Sequence, residues 1–246
     1  MTKSNVLITG ANKGIGYAIA RQLGERGCSV WLGCRDSDRG ETAAAQLRAA
    51  GLDAHAVVLD VTRDESVRKA AERLDGALAA LDVLVNNAGM HFGLPPGASE
   101  EPLDHMRAMF ETNTLGPIRV TQFFLPLLRR SAAARIVMMS SGLGSLQSTT
   151  EMTSQNWGVG FAGYCASKSA LNMVTIKLAK ELLSEGMKVN AADPGLTATD
   201  LTGHMGDRSP EEAAAVAVEL ATLGRLGPTC GFFHHGHAGS LSQHPW

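Results

Sequence analysis

Tyr164 and Lys168 stand four residues apart in the run Tyr164-Cys165-Ala166-Ser167-Lys168, a spacing that brings both side chains to one face of a helix. A free phenol titrates near ~10, too high for a base and weak as an acid at neutral pH. An ammonium close by stabilises the phenolate, and a displacement of two to three pKa units is worth roughly 3–4 kcal/mol. Such a pair suits proton transfer to or from a carbonyl oxygen. Ser141 follows a strand-like run and adds a hydroxyl to the candidate group. A Tyr-x-x-x-Lys pair alone describes many surface helices, so its meaning depends on what the chain builds around it.

A second group lies at the start of the chain. Thr9-Gly10-Ala11-Asn12-Lys13-Gly14-Ile15-Gly16 separates a strand-like run from a helical one. Gly10 permits a tight turn, Gly14 lets backbone approach a pyrophosphate, and Gly16 lets helix and strand pack closely. The helix that follows offers unpaired N–H groups and the positive end of its dipole to an anion. The spacing is G-x-x-x-G-x-G rather than the commoner G-x-G-x-x-G, and a glycine-rich turn by itself marks many plain loops. Its place between strand and helix favours a dinucleotide.

The elements that must position these groups alternate. Short apolar runs at 5–9, 29–33, 54–59, 82–86, 135–140 and 187–191 read as buried parallel strands. Helical patterns fill 15–26, 38–50, 64–80, 112–130 and 164–185; in the last, Leu171, Val174, Leu178 and Leu182 would face the sheet. Strict β-α-β alternation implies a single-domain α/β fold, a doubly wound parallel sheet with helices on both faces. Right-handed crossovers place the ligand along the edge formed by the strand C-termini.

Composition narrows the function. The 246 residues are 44% hydrophobic and 19% charged, with a net charge of −2, so nothing electrostatic favours nucleic acid or an anionic membrane. No apolar run has the length of a membrane span, and the N-terminus lacks the pattern of a signal peptide. Four scattered cysteines without a CxxC pair imply reduced thiols and a cytoplasmic setting. His234, His235, His237 and His244 cluster near the C-terminus, but in a Gly/Ser-rich tail they read as solvated loop residues rather than metal ligands. No metal is expected.

Further motifs follow in order: Leu59-Asp60-Val61-Thr62, Asn86-Asn87-Ala88-Gly89, Asn113, Ser140-Ser141, the Tyr164–Lys168 run, and Pro194-Gly195-Leu196-Thr197-Ala198-Thr199. This ordered set resembles the short-chain dehydrogenase/reductase family, whose fold is of the Rossmann type. The tail, with Gly227-Pro228-Thr229 and Gly231-Phe232-Phe233, resembles its carbonyl reductase branch. The resemblance implies that Asp60 accepts from the adenine amino group, with Val61 beside it. It implies that Asn87, Ala88 and Gly89 turn beside the adenine ribose, and that Pro194, Gly195, Leu196, Thr197 and Thr199 hold the nicotinamide carboxamide. Gly10, Asn12, Lys13, Gly14, Ile15 and Gly16 would cradle the phosphates. Tyr164 would be the proton donor, Lys168 its tuner and a ribose ligand, Ser141 the orienting hydroxyl, and Asn113 the holder of a water that relays protons to Lys168. In isolation, Asp60 reads equally well as a turn cap and Asn87-Ala88-Gly89 as a strand-ending turn.

The second strand ends in Cys34-Arg35, with a cation where a site preferring NAD has an acid. Lys13 adds a second cation, and two cations suit a 2′-phosphate, each charge-assisted contact being worth roughly 1.5–3 kcal/mol. Asp36 falls one position later, where it suits the start of the next helix. NADP(H) is the expected cofactor. Between Ser141 and Tyr164 runs a long segment holding Leu143, Gln147, Trp157 and Phe161. Ser141, Leu143, Trp157 and Phe161 are expected to line the substrate pocket, since long loops in compact domains are often functional. The resemblance to the carbonyl reductase branch implies that an insertion here can also obstruct a common subunit interface, leaving monomer, dimer and tetramer open.

The expectation is an NADPH-dependent reductase of a small or medium-sized ketone, aldehyde or quinone, formed by one domain over residues 1–246. An NADP-dependent alcohol dehydrogenase working oxidatively is the nearest alternative. A non-catalytic NADP(H)-sensing module is disfavoured by the presence of Ser141, Tyr164 and Lys168. Sugar-nucleotide epimerase chemistry is disfavoured because no separate substrate domain follows Thr199.

Overall fold

The computed structural model describes residues 3–93, 97–235 and 240–246. Among the described residues, eight strands form one sheet in the order β3-β2-β1-β4-β5-β6-β7-β8: β1 (Asn5–Thr9), β2 (Ser29–Cys34), β3 (Ala54–Val58), β4 (Val83–Asn86), β5 (Arg135–Met139), β6 (Lys188–Asp193), β7 (Phe232–His235) and β8 (Leu241–Gln243). The first seven are parallel, and β8 returns antiparallel along β7. This is the doubly wound α/β sheet that the alternation of elements implies.

Successive strand residues feed two cores because side chains alternate across a sheet. Val6, Ile8, Val30, Leu32, Val85 and Val137 enter one cluster with residues of α1 (Gly14–Glu25), α2 (Ser37–Ala49) and α8 (Pro210–Ala221). Leu7, Leu84, Ile136, Met138 and Val189 enter the other with α3 (Asp64–Ala77), α5 (Gly116–Leu128) and α7 (Ala162–Glu181). Two shorter helices are α4 (Leu103–Phe110) and α6 (Leu146–Thr150). Among the described residues, no helix is long and apolar enough to cross a membrane.

Four sequence expectations need correction. The helix expected over 112–130 begins earlier, at Leu103 as α4, passes through a π turn over Glu111–Leu115, and ends with α5 at Leu128. Pro117 has no N–H to continue the α pattern, and the Gly116 N–H instead reaches back five residues to the Glu111 carbonyl. Helix α3 ends three residues early, where Leu78 turns extended. In α7 the buried face runs through Ser167, Lys168, Leu171, Thr175 and Ala179, with Leu182 just beyond the helix; Val174 and Leu178 are only half-buried. Finally, the histidine-rich tail is no solvated loop. His234 and His235 lie in β7, half-buried, and His244 follows β8; His237 lies outside the described residues. The strand pattern is short and crowded by polar side chains, so periodicity alone does not reveal it.

Candidate active site

The catalytic candidates meet at the C-terminal edge of β4, β5 and β6. Lys168 is buried in α7, and its Nζ donates to the Met139 carbonyl at 2.7 Å. It lies 5.7 Å from the centre of the Tyr164 ring, one turn earlier. The loop after β5 presses directly on this helix: a Cβ on Gly144 would lie 2.9 Å from the Lys168 backbone. Asn172 and Ser169 both donate to the Gly144 carbonyl, at 3.1 and 3.0 Å. Ser141, just upstream, accepts from the Leu143 N–H at 3.3 Å and makes hydroxyl contact with Tyr164.

Asn113 sits fully buried in the π turn, a form of helix often found where a side chain must be re-aimed. Its Oδ1 accepts from the Met90 N–H at 2.8 Å, and its Nδ2 donates to the Met90 carbonyl at 2.9 Å and to Ser167 Oγ at 3.1 Å. A Cβ on Gly89 would lie 3.6 Å from both Asn113 Oδ1 and Lys168 Nζ. Gly89 therefore lies against both groups.

Electrostatics differ from the expectation in one respect. Burial raises the Tyr164 phenol above its ordinary pKa; the Ser141 hydroxyl opposes this, while the charge of Asp193 adds to it. Lysine is not what governs the phenol in this state. Burial in turn lowers Lys168 to about 8, against the pull of Asp193. Tyr164 thus rests protonated at neutral pH, which suits a proton donor to an alkoxide, the stronger base.

The glycine loop turns tightly and leaves the helix after it uncapped. Gly10 and Gly14 hold φ of +64° and +56°, and a Cβ on Gly16 would meet the Gly10 carbonyl at 2.6 Å. Helix α1 begins with no side-chain cap and no acid in its first turn. By contrast, α2 is capped by Asp36, which accepts from Arg39 N–H at 2.9 Å, and α8 by Ser209. Asp36 is therefore occupied as a cap, as its position suggests. The Asn87 amide donates to the Thr9 carbonyl at 2.8 Å and the Gly10 carbonyl at 3.2 Å, and Thr9 Oγ1 accepts from the Asn87 and Ala88 N–H groups. Asn87 thus holds the loop in shape.

Around this loop, Ile15 and Asn12 are half-buried and Arg35 is exposed at the end of β2, where the Gly10 N–H bonds to the Gly33 carbonyl at 2.7 Å. Arg35 forms no ion pair among the described residues, whereas Lys13 pairs with Asp200 at 2.5 Å across the cleft. Asp60 Oδ1 accepts from Thr62 N and Oγ1. The Val61 side chain is in the core and its carbonyl accepts from Arg119, so only its N–H is left for a ligand. Pro194, Gly195, Leu196, Thr197 and Thr199 form the opposite wall: Thr199 Cγ2 lies 3.5 Å from where a Gly14 Cβ would be. Leu196 is exposed, while Thr197 is buried and donates to the Gly195 carbonyl at 3.0 Å.

Residues 4–210 match the family model described as short chain dehydrogenase. The chain belongs to the short-chain dehydrogenase family. It is 38% identical to a short-chain dehydrogenase of Penicillium roqueforti, over 91% of this chain and 90% of that one. With (-)-isopiperitenone reductase of Mentha piperita it shares 34% identity, covering 92% and 95%. The NADPH-bound carbonyl reductase from chicken fatty liver superposes with a TM-score of 0.83 at 28% identity, covering 100% of each chain. As a member of this family the protein is an oxidoreductase that uses a nicotinamide cofactor.

On the substrate side, Phe161 packs 6.3 Å and His91 5.7 Å from the Tyr164 ring, and His91 and Phe161 lie 5.3 Å apart. Leu143 is half-buried beside Ser141, whereas Trp157 is 53% exposed and stacks on no ring among the described residues. Sequence reasoning missed His91, two residues past Gly89. It also missed Glu101, whose buried carboxylate accepts from the Gly163 N–H at 2.7 Å and fixes the start of α7. Neither carries a local pattern; both are defined by what folds against them.

Proposed function

We propose that the protein is an NADPH-dependent carbonyl reductase, with Tyr164 protonating the oxygen of a small or medium-sized ketone, aldehyde or quinone. The observation that carries this reading is the convergence of Ser141, Tyr164 and Lys168 on the sheet edge beside an uncapped glycine loop. The loop fits a dinucleotide, because its tight backbone needs glycine at 10, 14 and 16, where a side chain would strain the turn or collide with the Gly10 carbonyl, and the helix after it is left uncapped for an anion. NADPH, when bound, supplies hydride to the carbonyl carbon. Ser141 donates to the carbonyl oxygen and fixes its direction, and Tyr164 delivers its proton there. Lys168 supplies positive charge beside the phenol and binds ribose hydroxyls, and Asn113 holds the water through which Lys168 is reprotonated. His91 and Phe161, with Leu143 and Trp157, wall the substrate side.

Arg35 and Lys13 are the residues to hold a 2′-phosphate, Lys13 by exchanging Asp200 for it, and the likeness to an NADPH-bound carbonyl reductase supports that preference. The whole chain then acts as one NADP(H)-binding domain, and its free thiols support a cytoplasmic setting. The test is NADPH consumption against a panel of ketones, aldehydes, quinones and enones, with Tyr164→Phe beside the native protein. The variant is expected to keep NADPH affinity and lose roughly 10²–10⁴-fold in turnover, the usual share of a positioned acid. Near-full activity in Tyr164→Phe would overturn the assignment.

A further inference from the structure

Behind the catalytic residues lies a buried charge that the reaction scheme does not use. Asp193 ends β6 and is 9% exposed. Its Oδ1 accepts from the Gly195 N–H at 3.0 Å, its Oδ2 meets His244 Nε2 at 2.8 Å, and the Gly142 N–H is near enough to steady its charge. A Cβ on Gly142 would lie only 3.0 Å from Oδ2. These three groups come from three separate segments: the loop carrying Ser141, the Pro194–Thr199 wall, and the C-terminal tail after β8.

His244 is itself held. Its N–H donates to the Phe232 carbonyl at 2.7 Å, and its ring stacks on His234 at 4.0 Å. The chain continues to Trp246, whose ring stacks on Phe232 at 5.6 Å and whose carbonyl accepts from Gln147 N–H at 3.4 Å. The tail thus ties β7 to α6, inside the segment between Ser141 and Tyr164. A buried carboxylate is costly unless its lone pairs are satisfied, and here satisfaction requires all three segments in place.

We propose that Asp193 and His244 form a positioning pair that clamps the Ser141 loop, the nicotinamide wall and the C-terminal tail into one frame. Because Gly142 is the next residue after Ser141, a slack clamp moves the orienting hydroxyl away from Tyr164. The charged and titratable groups facing Asp193 are Lys168 and Tyr164 from α7, His244 from the tail, His234 from β7, and Arg208 beside Gly195. Burial works to raise the Asp193 carboxyl, but its bond to His244 and the two glycine N–H groups hold it below its ordinary value. It is therefore a carboxylate at neutral pH, and its charge favours the protonated forms of both Tyr164 and Lys168.

This inference rests on the roles proposed above for Ser141 and Tyr164, and its test separates the two. Asp193→Asn, His244→Leu and His244→Gln are compared with the native protein by kcat, KM, pH profile and amide hydrogen exchange. Asp193→Asn is expected to lower kcat by about tenfold or more with KM little changed, a misplacement effect. It should also move the basic limb of reduction to lower pH, since the charge that favoured protonation is gone. His244→Leu should lose kcat similarly and speed exchange at Gly142, Gly195 and residues 240–246, while His244→Gln, which keeps a donor, restores most of both. Equal losses in the Gln and Leu variants, or unchanged exchange at Gly142 and Gly195 in His244→Leu, would overturn the clamp. Should the native protein reduce no carbonyl, the exchange comparison still decides the clamp, and the functional reading alone fails.

Discussion

At the scale of single residues, the balance between burial and charge decides the chemistry. The lowered pKa of Lys168, about 8, sets a pH dependence whose sign is fixed. Below about 8 the ammonium is present and supports proton delivery through Tyr164; above it the charge and the proton are lost. NADPH-dependent reduction should therefore fall on the basic side, with an apparent pKa near 8 in kcat/KM, measured between pH 6 and 10. A profile flat across that range would show that Lys168 keeps its proton or plays no part. The cofactor preference also belongs to single residues. Arg35 is exposed without an ion pair among the described residues, so Arg35→Asp costs little stability. It places an acid against a phosphate of about −1.5 to −2 charges. The ratio of kcat/KM for NADPH to that for NADH should drop by about tenfold or more. An unchanged ratio, in this variant and in Lys13→Ala, would show that the phosphate is read elsewhere.

At the scale of elements, the groups that act are held by contacts distant in sequence. Helix α7 is pinned at its start by Glu101, along its length by Gly144, and across the site by Asn113 from the π turn. The segment between Ser141 and Tyr164 is held less evenly. It is tied through Ser145, Ser148 and Asn156 near its beginning and middle, while Trp157 is 53% exposed. A side chain so exposed contributes little packing, so Trp157→Ala should shift stability by no more than about 0.5 kcal/mol. As a wall of the pocket, its loss should change kcat/KM unequally for bulky and small ketones. Thermal melts and a substrate series check both parts; equal losses for every ketone would remove Trp157 from the pocket.

At the scale of the whole molecule, the cleft proposed for the cofactor is the seam where β1 separates strands running to either side, the place where doubly wound sheets bind ligands. The glycine loop, the end of β2 and the Pro194–Thr199 wall meet there, and the Lys13–Asp200 pair already bridges the gap. A ligand that joins these parts binds only the folded state. NADPH at about a hundred times its Kd should therefore stabilise the protein by roughly 2.7 kcal/mol. For a chain of this size that is a rise in Tm of about 5–10 °C, with a smaller rise for NADH at the same concentration. A melt unmoved by NADPH would rule out the cleft as its site.

The repeating β-α-β pattern, the glycine loop before α1 and the Tyr164–Lys168 spacing are local features, and the sequence alone determined them: each depends on periodicity or on backbone freedom within a few residues. Phe161 and Leu143 were within reach for the same reason, being pinned near Ser141 and Tyr164. The tertiary structure alone decided the rest. The break of the expected helix at 112–130 into a π turn follows from Pro117 and from Val61 packing on Gly116, the second a contact between residues more than fifty positions apart. The strands β7 and β8 carry too short a pattern to be read before their partner β6 is in place. The pairing of Asp193 with His244, and the upward rather than downward displacement of Tyr164, arise from burial. Burial is a property of the packed molecule, and no spacing along the chain encodes how much water a side chain will lose.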